Sequence, residues 1–426
     1  MSTAAPTKAL VGLASSLLAD VLARAGAADR TVSAFFRAHR SLGPRERALV
    51  AESVYAALRR RRSLAAAGGS EAPRALILAA LAKVLGFSGR ALDDALGDED
   101  RALLARLRTA DAAALPPAVR ADLPDWLWQR LVDRHGEAEA MRIARGLLDP
   151  APLDLRVNLA RTSREEVLGQ LATSHIPATA MRFSPAGIRC AGKPAINRHP
   201  LFKDGLIEVQ DEGSQLLAWL VAPRRGEMVA DFCAGAGGKS LALAMLMRST
   251  GRLYAMDVSA RRLAALTPRL RRAGVSNVHP VSLDSENDER VKRLAGKLDR
   301  VLVDAPCSGF GTLRRNPDLK WRHGPEAVEQ LVAKQGRILA SAARLVKPGG
   351  RLVYATCSLL DEENEAIADA FAAAHAEFSP LDCEALLREQ KIDVACGSRL
   401  RLWPHLHATD GFFAAAFERR PRPARA

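Results

Sequence analysis

The stretch that decides the fold is residues 231–240, which read Asp-Phe-Cys-Ala-Gly-Ala-Gly-Gly-Lys-Ser. The apolar run Met228–Phe232 leads into it, and the run Leu241–Met247 that follows has a helical pattern. Small residues let the backbone turn tightly and approach a ligand closely, and amides at a helix start hold anionic or polar groups. The stretch therefore predicts a strand, a binding loop and a helix. A Walker-type phosphate loop is excluded, because its spacing needs Gly at position 233, where Cys stands.

Strands and helices alternate through the rest of the carboxyl-terminal half. Further apolar runs typical of strands are Leu253–Asp257, Val301–Asp304 and Leu352–Thr356. This order predicts an α/β fold with an open, mostly parallel, Rossmann-like sheet that helices cover on both faces. Ligands in such sheets bind beyond the carboxyl ends of the strands, so we expect the functional residues at that edge.

Two regions with a different composition and spacing of apolar residues precede this sheet. Residues 1–145 are rich in Ala, Leu and Arg, with apolar positions at three- and four-residue spacing, which predicts an all-helical domain. Residues 150–209 begin with a strand-like alternation at Leu155-Arg156-Val157-Asn158, which predicts a small α+β module. The sheet domain is then expected to span residues 210–420.

The charge of the chain points to a polyanionic partner. The formal net charge is +14 and the pI is about 10.0, which favours nucleic acid, although part of an Arg-rich surface is simply solvated. Aromatic residues make up only 5% of the chain, so a broad base-stacking platform is not expected.

The cysteines and the hydropathy pattern indicate in which cellular compartment the protein is expected. None of the six cysteines form a Cys-x-x-Cys pair, which argues against a zinc site and against a disulfide framework, and no metal is expected. Free thiols fit a reducing cytoplasm. No apolar run approaches the ~20 residues of a membrane span, so a cytoplasmic protein without membrane contact is expected.

Acids follow two of the expected strands. Asp257 ends the run Tyr254-Ala255-Met256-Asp257, at a position where an acid typically binds ribose hydroxyls. An adenosine-bearing cofactor is therefore predicted, with a helix cap as the alternative role. Asp284 follows the next expected strand, where it would meet the adenine, unless it is an acid of a surface turn.

Thiols follow two other strands. Val301–Asp304 continues as Ala305-Pro306-Cys307-Ser308-Gly309, and Leu352–Thr356 continues as Cys357-Ser358. A single cysteine at such a place usually packs in the interior. Two at adjacent strand ends, each followed by Ser, indicate chemistry.

This pair of thiols suits the methylation of a pyrimidine. Carbon 5 of cytosine is a poor nucleophile, but a thiolate that adds at carbon 6 creates an enamine-like intermediate that is nucleophilic at carbon 5. An acid near ring N3, here Asp304, would stabilise the developing charge by sharing a proton. The other thiol would assist product release, and position alone does not decide which of Cys307 and Cys357 attacks.

Over roughly residues 153–419 the chain resembles the RsmB/Sun family of ribosomal RNA cytosine-5 methyltransferases. The resemblance rests on an ordered set of short motifs. They are Glu208-Val209-Gln210-Asp211-Glu212-Gly213-Ser214-Gln215, residues 231–240, Asp304-Ala305-Pro306-Cys307-Ser308-Gly309, Asn316-Pro317-Asp318, Pro348-Gly349-Gly350, Thr356-Cys357-Ser358, Glu362-Glu363-Asn364-Glu365 and Asp410-Gly411-Phe412-Phe413.

The resemblance implies roles for individual residues. Cys357 would be the nucleophile that bonds to cytosine carbon 6, and Cys307 would assist release. The cofactor would be S-adenosyl-L-methionine. Its contacts would be Cys233, Ala234, Gly235, Ala236, Gly237, Gly238, Lys239, Asp257, Asp284 and Asp304. The family usually has Pro where this chain has Ala236, which bears on the rigidity of the loop.

The resemblance also implies a substrate. The small module would help to grip RNA, and residues 8–145 loosely resemble the NusB-like helical domain at the front of RsmB. The expected reaction is methylation of carbon 5 of a cytosine in 16S ribosomal RNA, by a protein whose oligomeric state the sequence does not give, with a monomer favoured.

Other functions remain open at this stage. The target could be a tRNA or another RNA, or the chain could be a non-catalytic RNA-binding factor of ribosome assembly. DNA cytosine-5 methyltransferases place one Cys after a Pro at the third strand, so the second thiol at Cys357 argues against that class. The charge and the helical front domain disfavour a small-molecule substrate.

Overall fold

The computed structural model describes residues 4–24 and 26–421. They divide into two compact units. The first is the described part of Met1–Pro150 together with Thr312–Pro325, and the second is Ala151–Gly311 with the described part of Glu326–Ala426. Within residues 4–24 and 26–421, no helix combines the length and apolar character needed to cross a membrane.

The first unit is built from helices, as its spacing of apolar residues predicts. Leu17, Val50 and Ile77 come from three different helices and are all fully buried in one core. The helices are α1 (Lys8–Ala23), α2 (Ala28–Ala38), α3 (Pro44–Arg59), α4 (Arg61–Gly68), α5 (Pro73–Lys83), α6 (Gly89–Leu92), α7 (Asp98–Thr109), α8 (Pro117–Arg120), α9 (Asp125–His135) and α10 (Glu137–Leu148).

The segment Thr312–Pro325 is anchored in this helical unit by polar contacts. The last carbonyls of a helix lack partners within the helix, and at the end of α3 those of Leu58 and Arg59 accept hydrogen bonds from Trp321 Nε1 and Lys320 Nζ, both at 2.8 Å. At the start of α2, the Ala28 amide donates to Asp318 at 3.1 Å. The segment that follows the Pro-Cys-Ser motif in the chain therefore completes the packing of the helical domain.

The small module forms an antiparallel sheet with strand order β2-β3-β1-β4. Its core holds Leu155, Val167 and Ile188, all fully buried. Ser163 caps its main helix, because the side chain accepts a bond from the Glu166 amide. The elements are β1 (Leu153–Val157), α11 (Arg164–Thr173), β2 (Ala178–Ala180), β3 (Gly187–Cys190), α12 (Pro200–Lys203) and β4 (Ile207–Val209).

The large sheet has the order β10-β12-β9-β8-β5-β6-β7, and β11 pairs with β12. Strands β5 to β9 pair in parallel, whereas β10, β11 and β12 pair in antiparallel fashion at one side. The strands are β5 (Met228–Asp231), β6 (Arg252–Asp257), β7 (Val278–Ser282), β8 (Leu298–Asp304), β9 (Val346–Thr356), β10 (Phe378–Leu381), β11 (Leu400–Leu402) and β12 (Phe412–Arg419).

Helices cover both faces of this sheet. One apolar core contains Leu243 and Leu266, and a separate core on other strand positions contains Leu339 and Phe371. The helices of this part are α13 (Glu212–Val221), α14 (Gly238–Leu246), α15 (Ala260–Ala273), α16 (Glu289–Arg293), α18 (Pro325–Ala343), α19 (Glu365–Ala374), α20 (Cys383–Glu389) and α21 (Pro404–His407). The short helix α17 (Leu319–Arg322) lies between α16 and α18 in the chain and belongs to the helical unit. The predicted fold class, a Rossmann-like α/β sheet with a small α+β module and a helical front domain, is confirmed.

We expect Asp318→Ala to destabilise the helical unit. Asp318 is 6% exposed, accepts the Ala28 amide and lies 2.9 Å from Arg322, so its loss leaves a buried donor and a cation without a partner. The expected cost is about 1–3 kcal/mol of unfolding free energy, measured by urea denaturation. Asp93→Ala, which removes an exposed pair with Arg101 at 3.5 Å, is the control and should cost under about 0.5 kcal/mol. Equal costs would contradict the proposed anchor.

Candidate active site

The Gly-rich loop runs from the end of β5 to the start of α14, where the sequence predicted it. Gly235 and Gly237 have φ angles of +57° and +81°, in the left-handed region that favours glycine. A Cβ on Gly237 would lie 2.1 Å from Leu266 Cδ1, so any side chain at this position would force Leu266 or the loop to move. Close packing on α15 therefore fixes the course of the loop.

Asp257 lies beside this loop, at the carboxyl end of the neighbouring strand. Its carboxylate is 3% exposed and accepts bonds from the amides of Gly235, at 2.8 Å, and Ser259, at 2.7 Å. Arg262 Nη2 is 2.9 Å away. The structure thus joins Asp257 to the loop, whereas Asp284 lies just after β7 with an exposed side chain.

The polar atoms around the loop fit an adenosine-bearing cofactor. Asp231 ends β5 fully buried, and only one of its oxygens has a partner, Ser240 Oγ at 2.7 Å. Burial raises the pKa of Asp231 to about 7. Unsatisfied buried acceptors are rare, and this oxygen, the left-handed loop and the Asp257 carboxylate form a set of acceptors and donors that suits the polar ends of S-adenosylmethionine. Burial also raises the pKa of the Cys233 thiol, so this thiol is protonated at neutral pH.

A partly buried ion pair connects the loop with the end of β8. Lys239 Nζ lies 2.6 Å from Asp304 Oδ2, and the two side chains are 13% and 26% exposed. Burial alone would lower the pKa of Lys239, but the Asp304 carboxylate outweighs it and raises the pKa above its ordinary value. Lys239 therefore stays charged and places a proton donor next to Asp304.

The two predicted thiols meet at the same edge. Cys307 Sγ and Cys357 Sγ are 3.4 Å apart, and both residues are partly buried. The contact with Cys357, burial and the charge of Glu363 raise the pKa of Cys307 well above its ordinary value. Cys307 is therefore a protonated thiol at neutral pH.

Backbone close approach explains the Gly of the Asp-Gly-Phe-Phe motif. Gly311 donates its amide to Cys357 O at 2.8 Å, and Gly411 donates to Gly311 O at 2.8 Å. A Cβ on Gly411 would lie 2.7 Å from Leu359 Cδ2 and 2.9 Å from Gly311 Cα. The start of β12 thus supports the backbone of the Cys357 strand end.

Two polar side chains near the site were not predicted to have a role. Arg156, on β1 of the small module, is buried and donates to Gly238 O at 2.8 Å and to Gln210 Oε1. Glu363, which follows the Thr-Cys-Ser motif, is fully buried and accepts bonds from Ser308 and Ser358. The sequence features that could have pointed to them are the charge of Arg156 within a strand and the place of Glu363 within a short motif.

A Rossmann-like sheet with a glycine-rich loop, an acid at the next strand end and reactive groups beyond two further strands defines the class of S-adenosylmethionine-dependent methyltransferases. Residues 218–418 match the family profile described as 16S rRNA methyltransferase RsmB/F. Residues 123–197 match the ferredoxin-like domain of the same RsmF/B-like proteins.

Individual relatives and a solved structure are also similar to this chain. The chain is 38% identical over 293 residues to a probable ribosomal RNA small subunit methyltransferase B of Synechocystis sp., covering 68% of this chain and 66% of that protein. It is 35% identical over 317 residues to the ribosomal RNA small subunit methyltransferase B of Sodalis glossinidius, covering 74% and 70%. The crystal structure of PH0851 superposes with a TM-score of 0.80 at 25% identity, covering 98% of this chain and 100% of that one.

The chain belongs to the ribosomal RNA small subunit methyltransferase B family, the RsmB/Sun family that the motifs predicted. The cofactor of this family is S-adenosylmethionine, which confirms the cofactor prediction.

We expect Asp257→Asn to weaken the binding of S-adenosylmethionine. The amide cannot accept as a carboxylate does, and loss of a hydrogen bond to a charged group costs about 1–3 kcal/mol. Isothermal titration calorimetry on the purified protein measures this. Asp369→Asn, which alters an exposed acid paired with Arg399, is the control. Unchanged affinity in Asp257→Asn would remove this residue from the cofactor site.

Proposed function

We propose that the protein methylates carbon 5 of a cytosine in RNA through a covalent bond between Cys357 and cytosine carbon 6. The observation that carries this proposal is the 3.4 Å contact of two thiols at neighbouring strand ends. Asp304, which pairs with Lys239, lies three residues before Cys307 in the chain. Two thiols and a proton-bearing acid–base pair are what a two-step addition and elimination on a pyrimidine needs.

Each of these residues has its own step in the proposed reaction. The Cys357 thiolate adds to carbon 6, and the electron pair displaced toward ring N3 is met by a proton shared with Asp304, which Lys239 supports. S-adenosylmethionine supplies the methyl group when bound. Loss of the carbon 5 proton to water and return of the N3 proton to Asp304 then break the bond from sulfur to carbon 6, which regenerates the aromatic ring and the Cys357 thiolate.

The surroundings of Cys307 fit a thiol that assists release. The pKa of Cys307 is raised, so Cys307 is protonated when its neighbour attacks, and the thiolate is the nucleophilic form. A protonated thiol 3.4 Å from the departing sulfur is suited to assist release. This division of roles agrees with the family resemblance.

RNA is the substrate class that the charge and the relatives support. The net charge of +14 favours a polyanion, and the helical domain and the small α+β module are proposed to contact it. We take 16S ribosomal RNA as the target because the matching family profile names it. A target base reached at carbon 6 must be unpaired or flipped out. A ribosomal substrate also implies a cytoplasmic protein; no metal or second subunit has a part in the proposal.

We predict that Cys307→Ala and Cys357→Ala fail in different ways. Cys357→Ala has no nucleophile, so it should neither methylate RNA nor form a covalent complex. Cys307→Ala can attack but should release slowly, and should accumulate a protein–RNA adduct visible on a denaturing gel. If both thiols merely packed the sheet, both variants would keep activity and lose on the order of 1 kcal/mol of stability. An adduct in Cys357→Ala instead would reverse the roles.

We also predict that loss of the gene removes one 5-methylcytosine from 16S ribosomal RNA. Bisulfite sequencing of ribosomal RNA from strains with and without the gene measures this. The site should reappear when the wild-type gene is returned and stay absent with Cys357→Ala. A missing mark in tRNA would move the target to that RNA. Unchanged marks in every RNA would favour a non-catalytic assembly factor.

A further inference from the structure

A single carboxylate lies behind both cysteine loops. Glu363 is fully buried, and Ser308 and Ser358, the residues that follow the two thiols, are 1% and 2% exposed. Both serine hydroxyls donate to Glu363 Oε2, and they also lie 3.2 Å from each other. The Ser308 amide donates to Oε1 at 2.8 Å.

The surroundings fix this carboxylate in place. Gln335 Nε2 donates both to Glu363 Oε1 and to Pro306 O, each at 3.0 Å. The Tyr354 hydroxyl donates to the backbone carbonyl of Glu363 at 2.6 Å. Both oxygens therefore serve as acceptors only, which is the pattern of a carboxylate with its hydrogen-bonding capacity used. Burial of such a charge is costly unless it is fully bonded, so the arrangement depends on all of these partners.

The two loops do not depend on Glu363 equally. Ser308 gives both its amide and its hydroxyl to Glu363. Ser358 has further partners, since its amide donates to Thr356 Oγ1 at 3.2 Å and its carbonyl accepts from Asn364 Nδ2 at 3.1 Å. Loss of the carboxylate should therefore loosen the Cys307 loop more than the Cys357 strand end.

We infer that Glu363 is a positioning residue that holds the Cys307 loop against Cys357, so that the release thiol stays beside the sulfur that bonds the base. The inference rests on the proposed function for its consequence in catalysis, but its geometric part concerns the two thiols alone. The negative charge of Glu363 also contributes to the raised pKa of Cys307, which keeps that thiol protonated. Glu363 does not touch the base.

The first test uses the protein without RNA. Diamide, a diazene oxidant, takes two electrons and two protons from a pair of thiols as their S–S bond forms, and becomes the corresponding hydrazine. Peptide mass spectrometry then measures the rate at which Cys307 and Cys357 are bridged. Because thiol pairing depends on the approach of the two sulfurs, Glu363→Gln should slow bridging by roughly tenfold, as expected for a lost hydrogen bond to a charged group.

The second test follows the RNA reaction in the same variant. Glu363→Gln should form the protein–RNA adduct at nearly the wild-type rate but resolve it roughly tenfold more slowly, so that adduct accumulates on a denaturing gel. Ser308→Ala, which removes one of the two Ser308 bonds, should act in the same direction with a smaller effect, and serves if Glu363→Gln does not fold. Glu384→Gln is the matched control, because Glu384 accepts two backbone amides, those of Cys396 and Gly397, away from the thiols.

The outcomes separate the two proposals. Slower bridging together with accumulated adduct supports the inference. Wild-type bridging in Glu363→Gln overturns it, and so does a loss of adduct formation and resolution that only follows the folded fraction in melting curves. Slower bridging in a protein that forms no adduct with any RNA, even as Cys307→Ala, leaves the positioning role standing and contradicts the proposed function instead.

Discussion

The parallel pairing of β8 with β9 is the constraint on which the site depends. Its register aligns Asp304 with Ala355. Cys307 lies three residues beyond Asp304 and Cys357 two residues beyond Ala355, so the two thiols come to the same edge of the sheet. Parallel strands leave their carboxyl ends at one edge, and the next pairs, β8 with β5 and β5 with β6, bring the Gly-rich loop and Asp257 to that edge. A change of register would shift one thiol along its strand relative to the other.

Charged side chains with hydrogen-bond or ion-pair partners lie close to the two cysteines in the fold. Lys239 neutralises Asp304 in front of the thiols, and hydrogen-bond donors satisfy Glu363 behind them. Each charge would be costly alone in a low-dielectric interior. The contact with Cys357, burial and the charge of Glu363 keep Cys307 protonated.

The ends of β6, β8 and β9 could be predicted from the sequence, whereas the beginnings of β8 and β9 and the long-range contacts could not. Asp257 and Asp304 end their strands as predicted, because an apolar run stops there and a functional residue follows. β9 begins at Val346, before the predicted Leu352, since Pro348-Gly349-Gly350 looks like a turn in isolation. The bonds of Glu363 to Ser308 and of Arg156 to Gly238 join residues far apart in the chain, and local patterns contain no information on such partners. The packing of Thr312–Pro325 in the helical unit was missed for the same reason.

The proposed covalent bond between Cys357 and the target base can be trapped chemically. RNA that carries 5-fluorocytidine traps such a bond after methyl transfer, because the fluorine cannot leave as a proton does. Digestion of the trapped complex and mass spectrometry of the modified peptide identify the residue. The account predicts a single nucleotide-bearing peptide that contains Cys357. A modified peptide that contains Cys307 instead, or a methylated product with no trapped complex, would contradict it.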